Sequence, residues 1–266
     1  MYHYYSGNPY YWRNYYPQYT NYSQAGYPVY QQNYSYEWPM PTQTEDLYRG
    51  SWTPFPWVEK YAYAFSGPHN KAEVALTFDD GPDATYTAKM LDTLNKYGVK
   101  GTFFLLGQNA EKYPDLVKRM AAEGHVIGNH SYDHPSFEKL SDAQYEEQIT
   151  KTEKIIKGLA GYEPKFIRPP YGAITEKQVA WATNRKNMIV QWTVDTLDWK
   201  TTNVQDIVNK AVGNSFPGSV ILQHSGPGLN LQASLESLDQ TIPQLTSKGA
   251  RFVTLPQMFN TAKERK

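Results

Sequence analysis

The sequence predicts an α/β domain built on a parallel sheet, carried behind a low-complexity, Tyr-rich N-terminal extension. Three observations lead there. From Glu73 onward, short apolar runs alternate with amphipathic stretches about seven times, the pattern of strand–helix units that feed a parallel sheet. Ionisable residues recur just after those apolar runs, at the strand ends where parallel α/β folds gather their chemistry. Residues 1–45, by contrast, are dense in Tyr, Asn, Gln, Ser and Pro and nearly empty of Leu, Ile and Val. Such a segment buries too little aliphatic surface to offset its ordering entropy, so it reads as a disordered tail.

The elements follow in order. Residues 46–70 are transitional, with Trp52, Phe55, Trp57, Tyr61 and Tyr63 expected to pack on an edge of the domain, which itself spans 71–266. Val74–Phe78 is the first predicted strand, and Thr85–Tyr97 a helix closed by Gly98. Gly101–Leu106 is a strand, Pro114–Glu123 an amphipathic helix stopped by Gly124, and His125–Asn129 a strand. Ser141–Leu159 is a long polar helix with Ser141 as N-cap. Lys165–Arg168 and Met188–Val194 are strands on either side of a helix at Glu176–Arg185. A helix at Val204–Val212, a strand at Ser219–Gln223, a helix at Leu231–Ser247 and a seventh strand at Arg251–Leu255 complete the series before a short final helix. Periodicity leaves a small barrel and a doubly wound sheet equally open.

Composition removes several function classes. Lys plus Arg and Asp plus Glu balance at 26 each, so no excess of cations marks the chain for nucleic acid. There is no cysteine, so disulfides, thiolate metal sites and cysteine nucleophiles are excluded and any metal must sit on His, Asp or Glu. No run of 18 apolar residues predicts a membrane span. The Met1-Tyr2-His3-Tyr4-Tyr5 start lacks the basic and apolar regions of a signal peptide. The expected location is the cell envelope or spore coat, with the cytoplasm as the alternative.

The polar residues at the strand ends are Asp79-Asp80-Gly81-Pro82 after the first strand, His130 and His134 after the third, Arg168-Pro169-Pro170-Tyr171 after the fourth, Asp195 and Asp198-Trp199 after the fifth, and His224 after the sixth. Taken singly, each is commonplace. Paired aspartates form turns and helix caps, and two histidines four apart occur often by accident. Their meeting on one edge is the informative feature.

Here the sequence resembles a known family. Thr77-Phe78-Asp79-Asp80-Gly81-Pro82 resembles the first motif of the polysaccharide deacetylases, the NodB-homology or carbohydrate esterase 4 domain. His130-Ser131-Tyr132-Asp133-His134-Pro135 is similar to the second motif, Arg168-Pro169-Pro170-Tyr171 to the third, Asp195-Thr196-Leu197-Asp198-Trp199 to the fourth, and Leu222-Gln223-His224 to the fifth. The five occur in order, with no departure at a polar position. The resemblance implies a distorted (β/α) barrel of fewer than eight strands, in keeping with about seven predicted parallel strands.

It also implies a site. Hydrolysis of an acetamide needs an activated water, a stabilised oxyanion and a proton for the leaving amine. A divalent metal lowers the pKa of water and polarises a carbonyl. Asp80, His130 and His134 are the implied ligands, two imidazoles and one carboxylate, leaving positions open for water and substrate. Zinc is the default, while cobalt, nickel, manganese and iron(II) suit the same ligands. Asp79 is the implied general base, paired with Arg168, a pairing expected to lower its pKa. His224 is the implied general acid, held by Asp198 as an orienting carboxylate holds a triad histidine. Tyr171, Trp199, Leu222 and Tyr132 are expected to contact substrate, Trp199 and Leu222 around the acetyl methyl and the Tyr171 backbone N–H at the oxyanion.

The expected reaction is removal of N-acetyl groups from N-acetylglucosamine-type residues of a glycan, peptidoglycan or a chitin-like oligomer, with N-acetylmuramic acid and acetyl-xylan as further family substrates. The N-terminal extension is expected to bind envelope or spore-coat components. The alternative is an inactive glycan-binding or structural coat protein on the same fold.

Overall fold

The computed structural model describes residues 57–265. The Tyr-rich extension, Trp52 and Phe55, and the coat or envelope binding expected of the extension lie outside the described residues.

Strand β2 (Glu73–Asp79) is the centre of the sheet, and its seven residues are all buried. Alternate side chains leave a strand on opposite faces. Val74, Leu76 and Phe78 therefore join one cluster with Met90, Leu91 and Leu94 of helix α1 (Thr87–Lys96). Ala75 faces the other way, into a cluster with Phe104, Val190 and Val220. Thr77 and Asp79 share that inner face. One strand thus packs the helical layer with its even residues and carries polar groups into the curl of the sheet with its odd ones.

The remaining strands are β1 (Tyr63–Ala64), β3 (Thr102–Leu105), β4 (Val126–Asn129), β5 (Phe166–Ile167), β6 (Met188–Val190), β7 (Val194–Asp195), β8 (Val220–His224) and β9 (Arg251–Phe252). Their order is β1-β6-β5-β4-β3-β2-β8-β7, with β9 paired to the start of β2. Among the described residues every ladder is parallel. The sheet curls into a half-barrel whose end strands, β1 and β7, do not pair. This resolves the choice that periodicity left open in favour of the distorted barrel.

The helices are α1, α2 (Gly107–Lys112), α3 (Pro114–Ala122), α4 (Asp142–Ala160), α5 (Glu176–Asn184), α6 (Val204–Gly213), α7 (Gln232–Ser247) and α8 (Leu255–Met258). Local chemistry sets several ends. Ser141 and Gln144 form a capping box at the start of α4, and Gly161 closes it at φ 80°. Thr175 and Gln178 form a second box at α5. Among the described residues no helix is long and apolar enough to cross a membrane.

Among the described residues nine strands stand where seven were predicted. One addition is β1, which pairs with β6. Beside it Trp57 packs edge-on against Tyr61 and Tyr63. The other comes from the predicted strand at 188–194, which is broken into β6 and β7. The carbonyls of Val190 and Gln191 accept from the Arg168 guanidinium at 3.1 and 2.9 Å. The chain then changes neighbour, from β5 and β1 to β8. Helix α2 was not predicted. It is too short to show a period, and it opens on Gly107, where a Cβ would lie 2.6 Å from Thr152 Oγ1 and 2.7 Å from Tyr132 Cδ2.

Candidate active site

The carboxyl edge of the half-barrel brings the strand-end residues together. Asp79 ends β2, His130 follows β4, Arg168 follows β5, Asp195 ends β7 and His224 ends β8. Backbone geometry is unusual here. Asp80, Ser131, His134, Tyr171 and Leu197 all have positive φ, between 54° and 76°. Left-handed conformations at residues other than glycine cost on the order of 1–3 kcal/mol each and cluster where function demands a geometry.

Asp80, His130 and His134 offer ligand atoms that all lie within 4.8 Å of one another. Both histidine Nε2 atoms are 3.4 Å from Asp80 Oδ1. His130 Nδ1 lies 2.7 Å from the Arg168 carbonyl oxygen. A carbonyl only accepts, so Nδ1 carries the proton and Nε2 presents its lone pair. Burial, with the neighbouring His134, pushes His130 down to about 3, so its imidazole is neutral at ordinary pH. Asp80 Oδ1 is buried and has no hydrogen-bond partner. A buried carboxylate oxygen left bare between two imidazole nitrogens is costly. A divalent cation satisfies all three groups at once, so these residues fit the implied metal.

Arg168 fills the inside of the curl. It is fully buried over the Phe104 ring, 4.2 Å from the centroid. Its Nη1 donates to Asp79 Oδ1 and to Thr77 Oγ1, each at 2.8 Å. With the two carbonyl contacts already described, the guanidinium is held in one orientation, and through it so is Asp79. The pairing acts on the Asp79 pKa in the expected direction, but burial outweighs it. Burial raises the Asp79 carboxyl above its ordinary value, and the charge of Arg168, helped by His224, only opposes that rise. The other carboxylate oxygen, Oδ2, lies 3.7 Å from His130 Nε2.

His224 faces this group from β8. Its Nδ1 lies 2.7 Å from Asp198 Oδ1, and its backbone N–H donates to Asp198 Oδ2 at 2.9 Å. Ser234 Oγ, from the first turn of α7, also donates to Oδ2 at 2.7 Å. Burial alone would depress the His224 imidazolium, but the charge and hydrogen bond of Asp198, with Asp80 and Asp79 behind them, push it up to about 10. Asp195 accepts from the Leu197 N–H at 2.9 Å, and burial raises its carboxyl.

Among the residues expected to contact substrate, Tyr171 and Trp199 stand out from the surface, 49% and 43% exposed. The Tyr171 ring meets the His134 ring edge-on at 4.6 Å. Leu222 is buried beside Thr77 and Asp195 in the sheet register. Tyr132 is engaged by two helices. Its hydroxyl donates to Glu111 of α2, and Lys151 of α4 sits over its ring at 3.3 Å. Sequence reasoning missed Thr77 as a partner of Arg168 and Ser234 as a partner of Asp198. Thr77 stood inside the first motif, two residues from Asp79 on the same strand face. Ser234 carried no signal.

Comparison with known proteins decides the family. The sequence profile of the polysaccharide deacetylases matches residues 66–190. A peptidoglycan-N-acetylglucosamine deacetylase of Bacillus cereus is 67% identical over 218 residues, covering 82% of this chain and 79% of that protein. The chain belongs to the polysaccharide deacetylase family. A peptidoglycan-N-acetylglucosamine deacetylase of Listeria monocytogenes is 42% identical over 186 residues, 70% of this deacetylase chain and 38% of the longer relative. The crystal structure of a peptidoglycan N-acetylglucosamine deacetylase in complex with 4-naphthalen-1-yl-N-oxidanyl-benzamide superposes with a TM-score of 0.79 at 66% identity, covering 80% of this polysaccharide deacetylase and all of that chain.

Proposed function

We propose that this polysaccharide deacetylase removes the N-acetyl group from N-acetylglucosamine residues of peptidoglycan, releasing acetate and leaving a free amine, with a divalent metal at Asp80, His130 and His134. The observation that carries the reading is the placement of a ligand cluster, a buried Asp–Arg pair and a His–Asp pair on one strand edge. The name borne by the 67%-identical Bacillus cereus relative supports the sugar and the polymer. The N-hydroxyamide of the ligand in the related crystal structure is a metal-chelating group, which supports the metal. Zinc is proposed because two imidazoles and one carboxylate with open positions suit it.

A divalent cation in such a site supplies Lewis acidity, which polarises a carbonyl and lowers the pKa of water. The protein's own groups do the rest. Asp79 accepts a proton from the attacking water. Arg168 fixes the direction in which Asp79 accepts. The Tyr171 backbone N–H helps hold the oxyanion. His224, protonated through Asp198, gives its Nε2 proton to the amine nitrogen as the C–N bond breaks. Trp199 and Leu222 line the pocket for the acetyl methyl. A location at the cell envelope or spore coat is part of this proposal, because a peptidoglycan substrate would be met there.

The test is incubation with purified peptidoglycan and with N-acetylglucosamine oligomers, measuring acetate and new primary amines together. Equal amounts of the two are expected. Acetate without amine would point to an O-acetyl substrate, and neither product from any glycan would favour a binding or structural protein.

A further inference from the structure

Asn109 lies in α2 and is 6% exposed. Its Nδ2 donates to the backbone carbonyl of Asp80 at 2.7 Å. Asp80 is the residue whose bare Oδ1 sits 3.4 Å from both histidine Nε2 atoms, and it holds φ 70°. An L-residue enters the left-handed region at a cost, so Asp80 needs neighbours that over-determine its conformation. The segment leading into α2 supplies them on one side, because Leu106 N–H also donates to the carbonyl of Gly81 at 3.2 Å. On the other side lies Gly226, where a Cβ would fall 2.3 Å from Asp80 Cβ and 2.8 Å from Asp80 O. The Asp80 peptide is therefore pinned between a buried amide and a glycine that lets the chain close on it.

We propose that Asn109 is a positioning residue for the metal: by holding the Asp80 carbonyl it keeps the backbone in the left-handed turn that aims Oδ1 between His130 and His134. The inference rests on the metal reading above. Asn109 touches neither substrate nor ligand atom and acts only through Asp80. Groups that orient a first ligand commonly govern metal affinity by about 10–100-fold.

The test uses the full chain, stripped of metal, with zinc affinity measured by competition against a chromophoric chelator. Asn109→Asp keeps the size and shape of the side chain but, as a carboxylate, has no proton to donate. Asn109→Ala removes the group. Unfolding temperatures of the metal-free proteins are recorded alongside. Both variants are expected to bind zinc about 10-fold or more weakly, and to show a smaller zinc-induced rise in unfolding temperature than the wild type. Wild-type affinity in Asn109→Ala overturns the inference, even if that variant is less stable, because a packing role lowers metal-free stability without touching affinity. Absence of zinc binding by the wild type overturns the metal reading itself, and the inference with it.

Discussion

Asp198 holds His224 at two points, accepting from Nδ1 with one carboxylate oxygen and from the backbone N–H with the other. The imidazole is thereby fixed in orientation and kept protonated, with Nε2 turned to the site. Replacing Asp198 by Asn leaves the backbone contact available but removes the charge. The His224 pKa is expected to fall from about 10, because burial then acts against only the more distant charges of Asp80 and Asp79. The alkaline limb of the kcat/KM profile should move to lower pH, measured as acetate release across pH. His224→Ala should retain metal and lose about 10²–10⁴-fold in turnover, the usual worth of a general acid.

Arg168 and Asp79 form a buried pair in which neither charge has an exit to solvent. Arg168→Met leaves Asp79 buried and alone, which typically costs about 3–5 kcal/mol. Urea unfolding of the metal-free protein should show a loss of that order, together with a fall in kcat. Arg168→Lys is expected to recover only part of either, because an ammonium cannot meet Asp79, Thr77 and two carbonyls in one plane.

His125 makes the fold acid-sensitive at a point away from the active edge. Its Nδ1 accepts from the Gly101 N–H at 3.0 Å, and burial, with Lys100 nearby, lowers it from 6.5 to about 4. A histidine depressed in the folded state favours the neutral form. Its contribution is therefore complete above about pH 6.5 and is lost as pH falls towards 4. The linked loss is about 3 kcal/mol. His125→Gln keeps an acceptor for Gly101 and cannot titrate. Between pH 7.5 and 4 it should lose less unfolding free energy than the wild type by about that amount.

Gly226→Ala tests how tightly the chain closes on Asp80. The added Cβ would sit 2.3 Å from Asp80 Cβ, so Asp80 has to move. Metal content after dialysis and acetate release should fall together in this variant, while the far-ultraviolet circular dichroism spectrum stays that of the wild type.

What the sequence reveals of this site is what lies close together along the chain. Asp79 with Asp80, and His130 with His134, are separated by no more than one turn, and each stands at the end of an apolar run. Their residue types and spacing state the chemistry. The groups that orient them come from elsewhere. Arg168 reaches Thr77 across 91 residues, Ser234 reaches Asp198 across 36, and Asn109 reaches Asp80 across 29. Such contacts exist only once the sheet has curled. The break between β6 and β7 was hidden for the same reason: 188–194 reads as one strand, and the insertion of Arg168 into its carbonyls is seen only in the fold. The lowering pull of Arg168 on Asp79 is visible in a motif, whereas the burial that outweighs it is a property of the closed fold.

The measurement that tests the account most directly is acetate release from peptidoglycan by the metal-loaded protein, by the same protein after chelation, and after zinc is restored. Release that stops on chelation and returns with zinc, while Asp80→Ala stays inactive throughout, is the predicted result. Undiminished release from protein shown to be free of metal would contradict it.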